Sequence, residues 1–229
     1  MSLHAKMAPI TRRTLADQVY AELKDLLMTG QAAPGERLTL RGLAAVIGTS
    51  PMPIREAVRR LVAERALEML PNRTLRVSKP GRARFAEITS IRCALEGLAA
   101  ETAAVERTPS ELAEIEHHYR VFVDASHRKR PDVALVIRAN KSFHFAIYRA
   151  AHMPVLVEII EGLWLQIGPV FNSDLKGTMR RLTEIDAHAH HARLLAGLRN
   201  ADRHEAREGL IADIQSSARF ILRHGGIFE

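Results

Sequence analysis

Residues 38–77, LTLRGLAAVIGTSPMPIREAVRRLVAERALEMLPNRTLRV, contain the pattern that decides the fold of the N-terminal region. Gly48 and Ser50 separate two short segments with helical apolar spacing, which predicts two helices joined by a tight junction. Residues 67–70 and 75–78 alternate as two short strands around a turn. The second helix carries several arginines, and a basic helix on a small apolar platform is the usual element that enters a DNA major groove. The stretch therefore predicts a winged helix-turn-helix.

The residues around this stretch supply helix boundaries and a small core. An amphipathic helix is predicted over residues 14–29, where Gly30 ends it. Ser50 is a favourable N-cap for the second helix of the stretch. Pro51 suits the first helical position, because the N–H that proline lacks would have no helical partner there. The predicted core beneath the basic surface consists of Leu43, Val46, Ile54, Val58 and Leu61.

The positive charge of the chain is concentrated in its first third. Residues 1–80 contain 13 lysines and arginines and 7 aspartates and glutamates, a formal net charge of +6, whereas residues 81–229 contain 20 and 19, a net charge of +1. This asymmetry indicates a polyanionic partner for the N-terminal module alone. Histidine has the opposite distribution, since ten of the eleven histidines lie after residue 81. Because histidine is a common metal ligand, the second part of the chain is expected to hold a different kind of site.

After residue 80 the sequence predicts only helices, at 84–106, 109–129, 132–151, 154–175, 178–199 and 202–224. Thr108 and Glu111 form a capping-box pattern at the start of the second of these helices. The predicted fold class is mainly α. It combines an N-terminal winged helix-turn-helix at residues 11–78, a linker at 79–83 and a C-terminal all-α bundle of about six helices at 84–226.

Composition also limits the cellular setting. The single cysteine, Cys93, excludes an internal disulfide and fits a reducing compartment. No apolar run approaches the roughly 20 residues of a membrane-spanning helix, and the N-terminus lacks the apolar segment of a signal peptide. We therefore expect a cytoplasmic protein with no membrane partner.

The order of motifs along the chain resembles that of the GntR family of transcriptional regulators. The string Pro-Ile-Arg-Glu-Ala-Val at 53–58 is similar to the end of the recognition region in that family. The helical remainder resembles the FCD-type effector domain of the FadR branch in the segments 91–96, 140–144 and 191–196. The resemblance covers roughly residues 11–224. It implies a ligand-responsive DNA-binding regulator, most often a repressor, that is not an enzyme and binds a palindromic double-stranded DNA operator as a homodimer.

The resemblance places Arg41, Ser50 and Arg55 at the main DNA-contact positions. Physical reasoning agrees for Arg55, one turn into the recognition helix, because an arginine can bind O6 and N7 of guanine through two hydrogen bonds. Ser50, at the N-terminus of the same helix, can donate to a phosphate beside the helical N–H groups.

Two further arginines and two departures from the family pattern complete the DNA-binding prediction. Arg59 is expected at a phosphate or in an ion pair, and Arg73, at the tip of the wing, can reach a groove. Pro51 stands where the family usually has an arginine, and Thr74 stands where it usually has a glycine. The operator is therefore expected to differ from those of close relatives.

In many members of this branch the bundle holds a divalent metal on one carboxylate and three histidines. The matching positions here are Asn140, His144, His191 and Asp213, so asparagine stands where aspartate is frequent and aspartate where a third histidine is usual. Asn140 and His144 are four residues apart and share a helix face. Two histidines and an aspartate would make an open site of zinc or nickel type with space for a ligand oxygen. An inward histidine is also explained as a hydrogen-bonded core residue.

Arg92 and His188 complete the predicted effector site. Arg92 lies on an apolar helix face, and a buried guanidinium requires an anion. One candidate anion is Glu96, four residues later. The other is the carboxylate of a small organic acid effector, such as a sugar acid or a dicarboxylate. His188, one turn before His191, is expected to support or replace that residue.

Three other functions stay open at the level of sequence. A metal-free regulator that responds to an acyl-CoA belongs to the same branch and requires a long apolar channel. A metal-dependent hydrolase is disfavoured, because the sequence contains no HExxH motif, nucleophile elbow or phosphate-binding glycine loop. A metal sensor is disfavoured because Asn140 is a weak ligand.

Overall fold

The computed structural model describes residues 14–71, 74–172 and 187–224, which form nine helices and three short strands. The helices are α1 (Leu15–Met28), α2 (Leu40–Ile47), α3 (Pro51–Ala63), α4 (Arg82–Glu106), α5 (Pro109–Ser126), α6 (Val133–Arg149), α7 (Pro154–Asn172), α8 (Ala187–Arg199) and α9 (Arg203–His224). The strands are β1 (Arg37–Leu38), β2 (Leu67–Met69) and β3 (Leu75–Val77). The predicted fold class is confirmed: a winged helix-turn-helix precedes a helical bundle.

Local sequence signals explain the ends of the N-terminal helices. At the start of α1, the Thr14 side chain accepts a hydrogen bond from the backbone N–H of Asp17, and the Asp17 side chain accepts one from the backbone N–H of Thr14. The end of α2 is Gly48, whose φ of 71° lies in the left-handed region. Helix α3 begins at Pro51, as predicted, and ends at Ala63.

The wing is a three-stranded antiparallel sheet in the order β1-β3-β2. The sequence predicted β2 and β3 but not β1, because two residues are too short to form an alternating pattern. Glu68 lies opposite Arg76 across the strand pair, and their side chains form an ion pair at 2.5 Å. Arg73 lies outside the described residues, so its place at the wing tip stays a prediction.

The core of the N-terminal domain lies between α1, α3 and the sheet. Ile54, Val58 and Leu61 of α3 are fully buried, as predicted. Leu43 of α2 is half-buried, but Val46 is 86% exposed, so its assignment to the core was wrong. The apolar residues of α2 spread over more than one face, and only one face of this short helix packs on the domain.

The helices of the C-terminal bundle begin close to their predicted starts. The capping box at Thr108 and Glu111 is present at the start of α5. Helix α4 begins at Arg82, inside the predicted linker. The predicted end of the fourth bundle helix and start of the fifth fall among residues 173–186, outside the described part of the chain. Helices α8 and α9 approach closely at Gly197, where an added Cβ would lie 2.3 Å from the backbone N of Ala206.

Helix α7 corrects the expectation about apolar runs. Its segment Pro154–Phe171 has a mean hydropathy of 1.4, and by length and composition it could cross a membrane. In the bundle, however, Ile160, Trp164, Leu165 and Ile167 of this helix are buried among other helices. Packing in the bundle core therefore accounts for these positions, whereas Val155 and Ile159 of the same helix are 69% and 49% exposed.

Candidate metal centre and DNA-binding surface

Helices α6, α8 and α9 bring three potential metal ligands together in the bundle interior. These residues are His144, His191 and Asp213, all buried. The Nε2 atoms of the two histidines are 3.2 Å apart, and carboxylate oxygens of Asp213 lie 3.4 Å from Nε2 of His144 and 3.5 Å from Nε2 of His191. A tetrahedral ion with metal–ligand distances of about 2.0–2.1 Å has ligand–ligand edges of about 3.3–3.4 Å. The three residues therefore fit a divalent metal.

Hydrogen bonds around His144 orient its Nε2 lone pair toward the other two ligands. Tyr148 lies one turn further along α6, and its hydroxyl contacts both the Glu96 carboxylate and, at 3.2 Å, Nδ1 of His144. An ionised carboxylate can only accept, so the hydroxyl donates to Glu96 and accepts from the Nδ1–H of His144. This leaves His144 as the neutral tautomer with its lone pair on Nε2, the form that binds a metal.

Burial and charge favour the same protonation states. Burial lowers the pKa of His144 to about 3, with Asp213 opposing this effect. Burial works to raise the pKa of Asp213, but the neighbouring His191 and His144 hold it below its usual range. The lone pair on Nε2 of His144 and the carboxylate oxygens of Asp213 therefore face one another in the interior, an arrangement that favours a cation between them.

Two of the three ligand residues, His144 and Asp213, line a cavity between α1, α4, α6, α7, α8 and α9, and His191 lies behind them, outside the described lining. Asn140, one turn before His144, lines this cavity, and its place as a fourth protein ligand stays a prediction. Lys141, Arg92 and Ser217 add further polar groups to the lining. The cavity thus combines several polar groups with an apolar wall, which is the usual composition of a small-molecule site.

Arg92 faces the cavity, but its guanidinium already has an anion. Its Nε and a terminal nitrogen bond the two carboxylate oxygens of Glu96 at 2.5 and 3.1 Å, and both side chains are buried. The guanidinium carbon lies 4.9 Å from the ring centroid of Trp164, whose indole N–H also donates to Glu96 at 3.1 Å. The sequence analysis left two candidate anions for Arg92, Glu96 and an effector carboxylate. In the structure Arg92 pairs with Glu96, and a contact between Arg92 and an effector stays a prediction.

His188 packs on α5 beside the ligand cluster. Its Nε2 is 3.3 Å from the hydroxyl of Ser126, and its ring centroid is 4.4 Å from that of His127. It is not among the described residues that line the cavity. His188 shares this position outside the described lining with His191, and its effector role stays a prediction.

Four residues of the site were not found from sequence: Tyr148, Trp164, Lys141 and Met28. Helical spacing could have indicated Tyr148, four residues after His144, and Lys141, three residues before it. Trp164 and Met28 reach the site only through the packing of α7 and α1, and no local pattern reports such contacts.

The N-terminal domain presents exposed arginines on and beside its recognition helix, α3. Arg41 on α2 and Arg55 and Arg59 on α3 are exposed, and within the described ranges none of the three has an ion-pair partner. Ser50 is exposed at the N-cap of α3 and its side chain makes no capping hydrogen bond. These cationic and hydroxyl groups are suited to contacts with phosphates and base edges.

Arg60 has a different role from the other arginines of α3. A terminal nitrogen of its guanidinium lies 2.8 Å from Oδ1 of Asp17, and the guanidinium carbon is 3.7 Å from the ring centroid of Tyr20. The hydroxyl of Tyr20 in turn donates to Glu64 at 2.8 Å, just beyond the end of α3. Arg60 therefore joins α1 to the recognition helix.

A winged helix-turn-helix with an exposed basic recognition helix, followed by a separate helical domain, defines a DNA-binding regulator. Residues 15–77 match the model of bacterial regulatory proteins of the gntR family, and residues 87–216 match the FCD domain model. The chain belongs to the GntR family of transcriptional regulators and carries an FCD domain.

Named relatives agree with this assignment. The HTH-type transcriptional regulator McbR of Escherichia coli (strain K12) is 37% identical over 156 residues, 68% of this chain and 70% of that protein. The solved structure of E. coli McbR/YncC matches with a TM-score of 0.85 at 32% identity, covering 93% of this chain and 99% of that one. A Paenarthrobacter nicotinovorans protein named "Probable D-xylose utilization operon transcriptional repressor" is 28% identical over 158 residues, 69% of each chain. The chain is thus a transcriptional regulator of the GntR/FCD type.

Proposed function

We propose that this regulator is a repressor of the FadR branch, bound to a palindromic operator as a homodimer and released by a small organic acid. The acid binds the FCD domain through a divalent metal of zinc or nickel type. His144, His191 and Asp213 would hold the metal, with Asn140 as a fourth protein group, and the ion would supply a Lewis-acidic position for a ligand oxygen. The proposal is carried by the convergence of the three buried ligand atoms at 3.2–3.5 Å from one another.

The lining of the cavity favours a small acid over an acyl-CoA. Lys141 and Arg92 lie on it together with His144 and Asp213, so a bound ion would make the interior more positive. A long acyl chain requires a continuous apolar channel, whereas charged and polar groups interrupt the described lining of this cavity. An anion with several oxygens matches such an interior better.

DNA contact is proposed for Arg41, Ser50, Arg55, Arg59 and Arg73, the last on the resemblance alone. One recognition helix makes few contacts, so two half-sites on a dimer are needed for specific affinity. Ile91 and Leu98, seven residues apart on α4, are 40% and 38% exposed and supply part of an apolar surface for a second copy. A regulator of this kind works at chromosomal DNA, which places it in the cytoplasm.

The metal is tested by elemental analysis of tag-free protein beside His144→Ala. We expect about one divalent ion per chain in the natural protein and none in the variant. His152→Ala is the matched control, because His152 pairs with Glu111 at 2.9 Å on the surface and its loss leaves the cluster intact. The competing explanation is a proton on Nε2 of His191 that bonds Asp213. That explanation predicts metal-free natural protein and would remove the metal from the proposal.

DNA recognition is tested by selecting bound sequences from a random duplex pool. We expect a two-fold symmetric consensus, which Arg55→Ala loses at one position of each half-site. An asymmetric consensus bound by one chain would contradict the dimer, and an unchanged consensus in Arg55→Ala would contradict the assignment of the recognition helix. Adding a panel of organic acids to the complex then identifies the class that releases the DNA.

A further inference from the structure

Two ion pairs of opposite polarity join α1 of the DNA-binding domain to the FCD domain. Nζ of Lys141 on α6 lies 2.6 Å from Oδ1 of Asp25, and Nζ of Lys24 lies 2.5 Å from a carboxylate oxygen of Glu161 on α7. Lys24 and Asp25 are neighbours on α1. The side chains of Lys141 and Asp25 are 23% and 49% exposed, so their pair is of the kind that water and salt weaken.

Of the four residues in these pairs, Lys141 also lines the cavity that contains His144 and Asp213. Ile137, Asn140, Lys141 and His144 occupy one face of α6 by their helical spacing, and all four line that cavity. Lys141 and Asp25 also line the groove at the domain junction. Lys141 thus lies between the cavity, which it lines, and the Asp25 carboxylate of the DNA-binding domain, which its ammonium group contacts.

The two basic residues among the described cavity lining differ in how firmly they are held. Arg92 is bound on both carboxylate oxygens of Glu96 within the core, and taking it away would leave a buried unpaired charge. Lys141 has a partner that is half exposed to water, and its four-carbon stem is flexible. Lys141 is therefore the cavity cation that can change its partner without leaving a buried charge behind.

We propose that Lys141 binds a carboxylate of the acid effector and gives up Asp25 when it does so. Effector binding then removes one of the two ion pairs that hold α1 against the FCD domain. The inference rests on the proposed function, since it requires an organic acid in the FCD cavity.

The end of α1 is placed to respond to this exchange. Met28, the last residue of α1, lines the cavity, and a Cβ added at Gly168 of α7 would lie 2.7 Å from the carbonyl oxygen of Leu27. Helix α1 is in turn tied to the recognition helix through the contact between Asp17 and Arg60. Loosening α1 from the FCD domain therefore alters the placement of the recognition helix, and with it the fit to fixed half-sites.

Competition for Lys141 predicts that losing Lys141 and losing Asp25 have opposite effects on acid affinity. Lys141→Met removes the cation that both carboxylates share, so it weakens acid binding by at least about tenfold. Asp25→Asn removes the competitor, so it strengthens acid binding by about two- to fivefold. A lysine that only fastens the two domains together would make both variants shift acid affinity in the same direction.

The experiment uses the full-length, zinc-loaded protein and malonate, a small dicarboxylate, as the probe. Trp164 is the single tryptophan of the chain and lines the cavity, so its fluorescence reports malonate binding directly. The selected DNA provides the second readout: malonate should release it from the natural protein and much less from Lys141→Met. Glu161→Gln is the matched control, since it breaks the neighbouring ion pair without touching the cavity, and its malonate affinity should stay within twofold.

Equal malonate affinity in Lys141→Met and the natural protein would overturn the inference. So would a shift of Lys141→Met and Asp25→Asn in one direction, an increase in Glu161→Gln as large as in Asp25→Asn, or the absence of malonate binding to zinc-loaded natural protein. Failure of the proposed function is separate, because it would be seen beforehand as protein that takes up no zinc or selects no DNA.

Discussion

Replacing Glu96 with glutamine removes the central acceptor of the buried network while keeping the size of the side chain. Glu96 is fully buried and accepts hydrogen bonds from Arg92, Tyr148 and Trp164. The amide keeps an oxygen for one or two of these donors, but it carries no charge. The guanidinium of Arg92, with a side chain only 5% exposed, is then left in the core without an anion.

Breaking a buried ion pair in this way costs about 3–5 kcal/mol of the free energy of unfolding. For a domain of this size, each kcal/mol lowers the Tm by about 2–4 °C, so Glu96→Gln should melt about 6–20 °C lower. Glu116→Gln is the matched control, because the pair between Glu116 and Arg199 is on the surface, with side chains 32% and 54% exposed. Its loss should cost at most about 1 kcal/mol.

The assay is equilibrium unfolding in denaturant, followed through Trp164 fluorescence in the presence of a chelator so that metal binding does not contribute. If Glu96→Gln and Glu116→Gln unfold within about 1 kcal/mol of each other, Arg92 is not a buried charge that depends on Glu96. A double variant, Arg92→Met with Glu96→Leu, sharpens the test, because removing both charges should cost less than removing one. A double variant less stable than Glu96→Gln would refute the same reasoning.

Three further predictions follow from single contacts. Tyr148→Phe removes the group that orients the metal-facing histidine of α6, so it should weaken zinc affinity by about 10–100-fold in a competition titration while the fold is retained. Arg60→Ala should lower the stability of the DNA-binding domain in thermal unfolding but leave the selected DNA consensus unchanged, whereas Arg55→Ala should do the reverse. Gly197→Ala should destabilise the bundle by several kcal/mol in denaturant unfolding, since its Cβ would overlap α9. Gly162→Ala is the control: no neighbouring atom lies within 4 Å of the new Cβ, so this variant should be neutral or stabilised by up to about 1 kcal/mol.

The helices were predictable because their boundaries carry local signals. Gly48, Pro51 and the pair of Thr108 and Glu111 mark ends that the structure confirms. Strand β1 has no such signal, since it exists only through pairing with β3. Val46 was misplaced because apolar spacing cannot tell which face of a short helix meets the domain.

The candidate site was predictable only in part for a similar reason. His144, His191 and Asp213 come from three helices, and the family pattern was needed to group them. Glu96 was foreseen as a partner of Arg92 because it is four residues away on the same helix. The contact between Lys141 and Asp25 spans 116 residues of sequence, and no periodicity reports it.

The two ion pairs at the cavity, Arg92 with Glu96 and Lys141 with Asp25, differ in burial and therefore in the free energy needed to break them. Coupling between a ligand site and a distant site usually amounts to about 1–3 kcal/mol. A ligand with a coupling free energy of this size cannot separate Arg92 from Glu96, because breaking that buried ion pair costs about 3–5 kcal/mol. It can separate Lys141 from Asp25, because this pair is only partly buried and a pair weakened by water in this way is worth about 1 kcal/mol. The buried pair on α4 therefore keeps one wall of the cavity rigid, and the partly buried pair between α6 and α1 leaves the contact with the DNA-binding domain open to exchange.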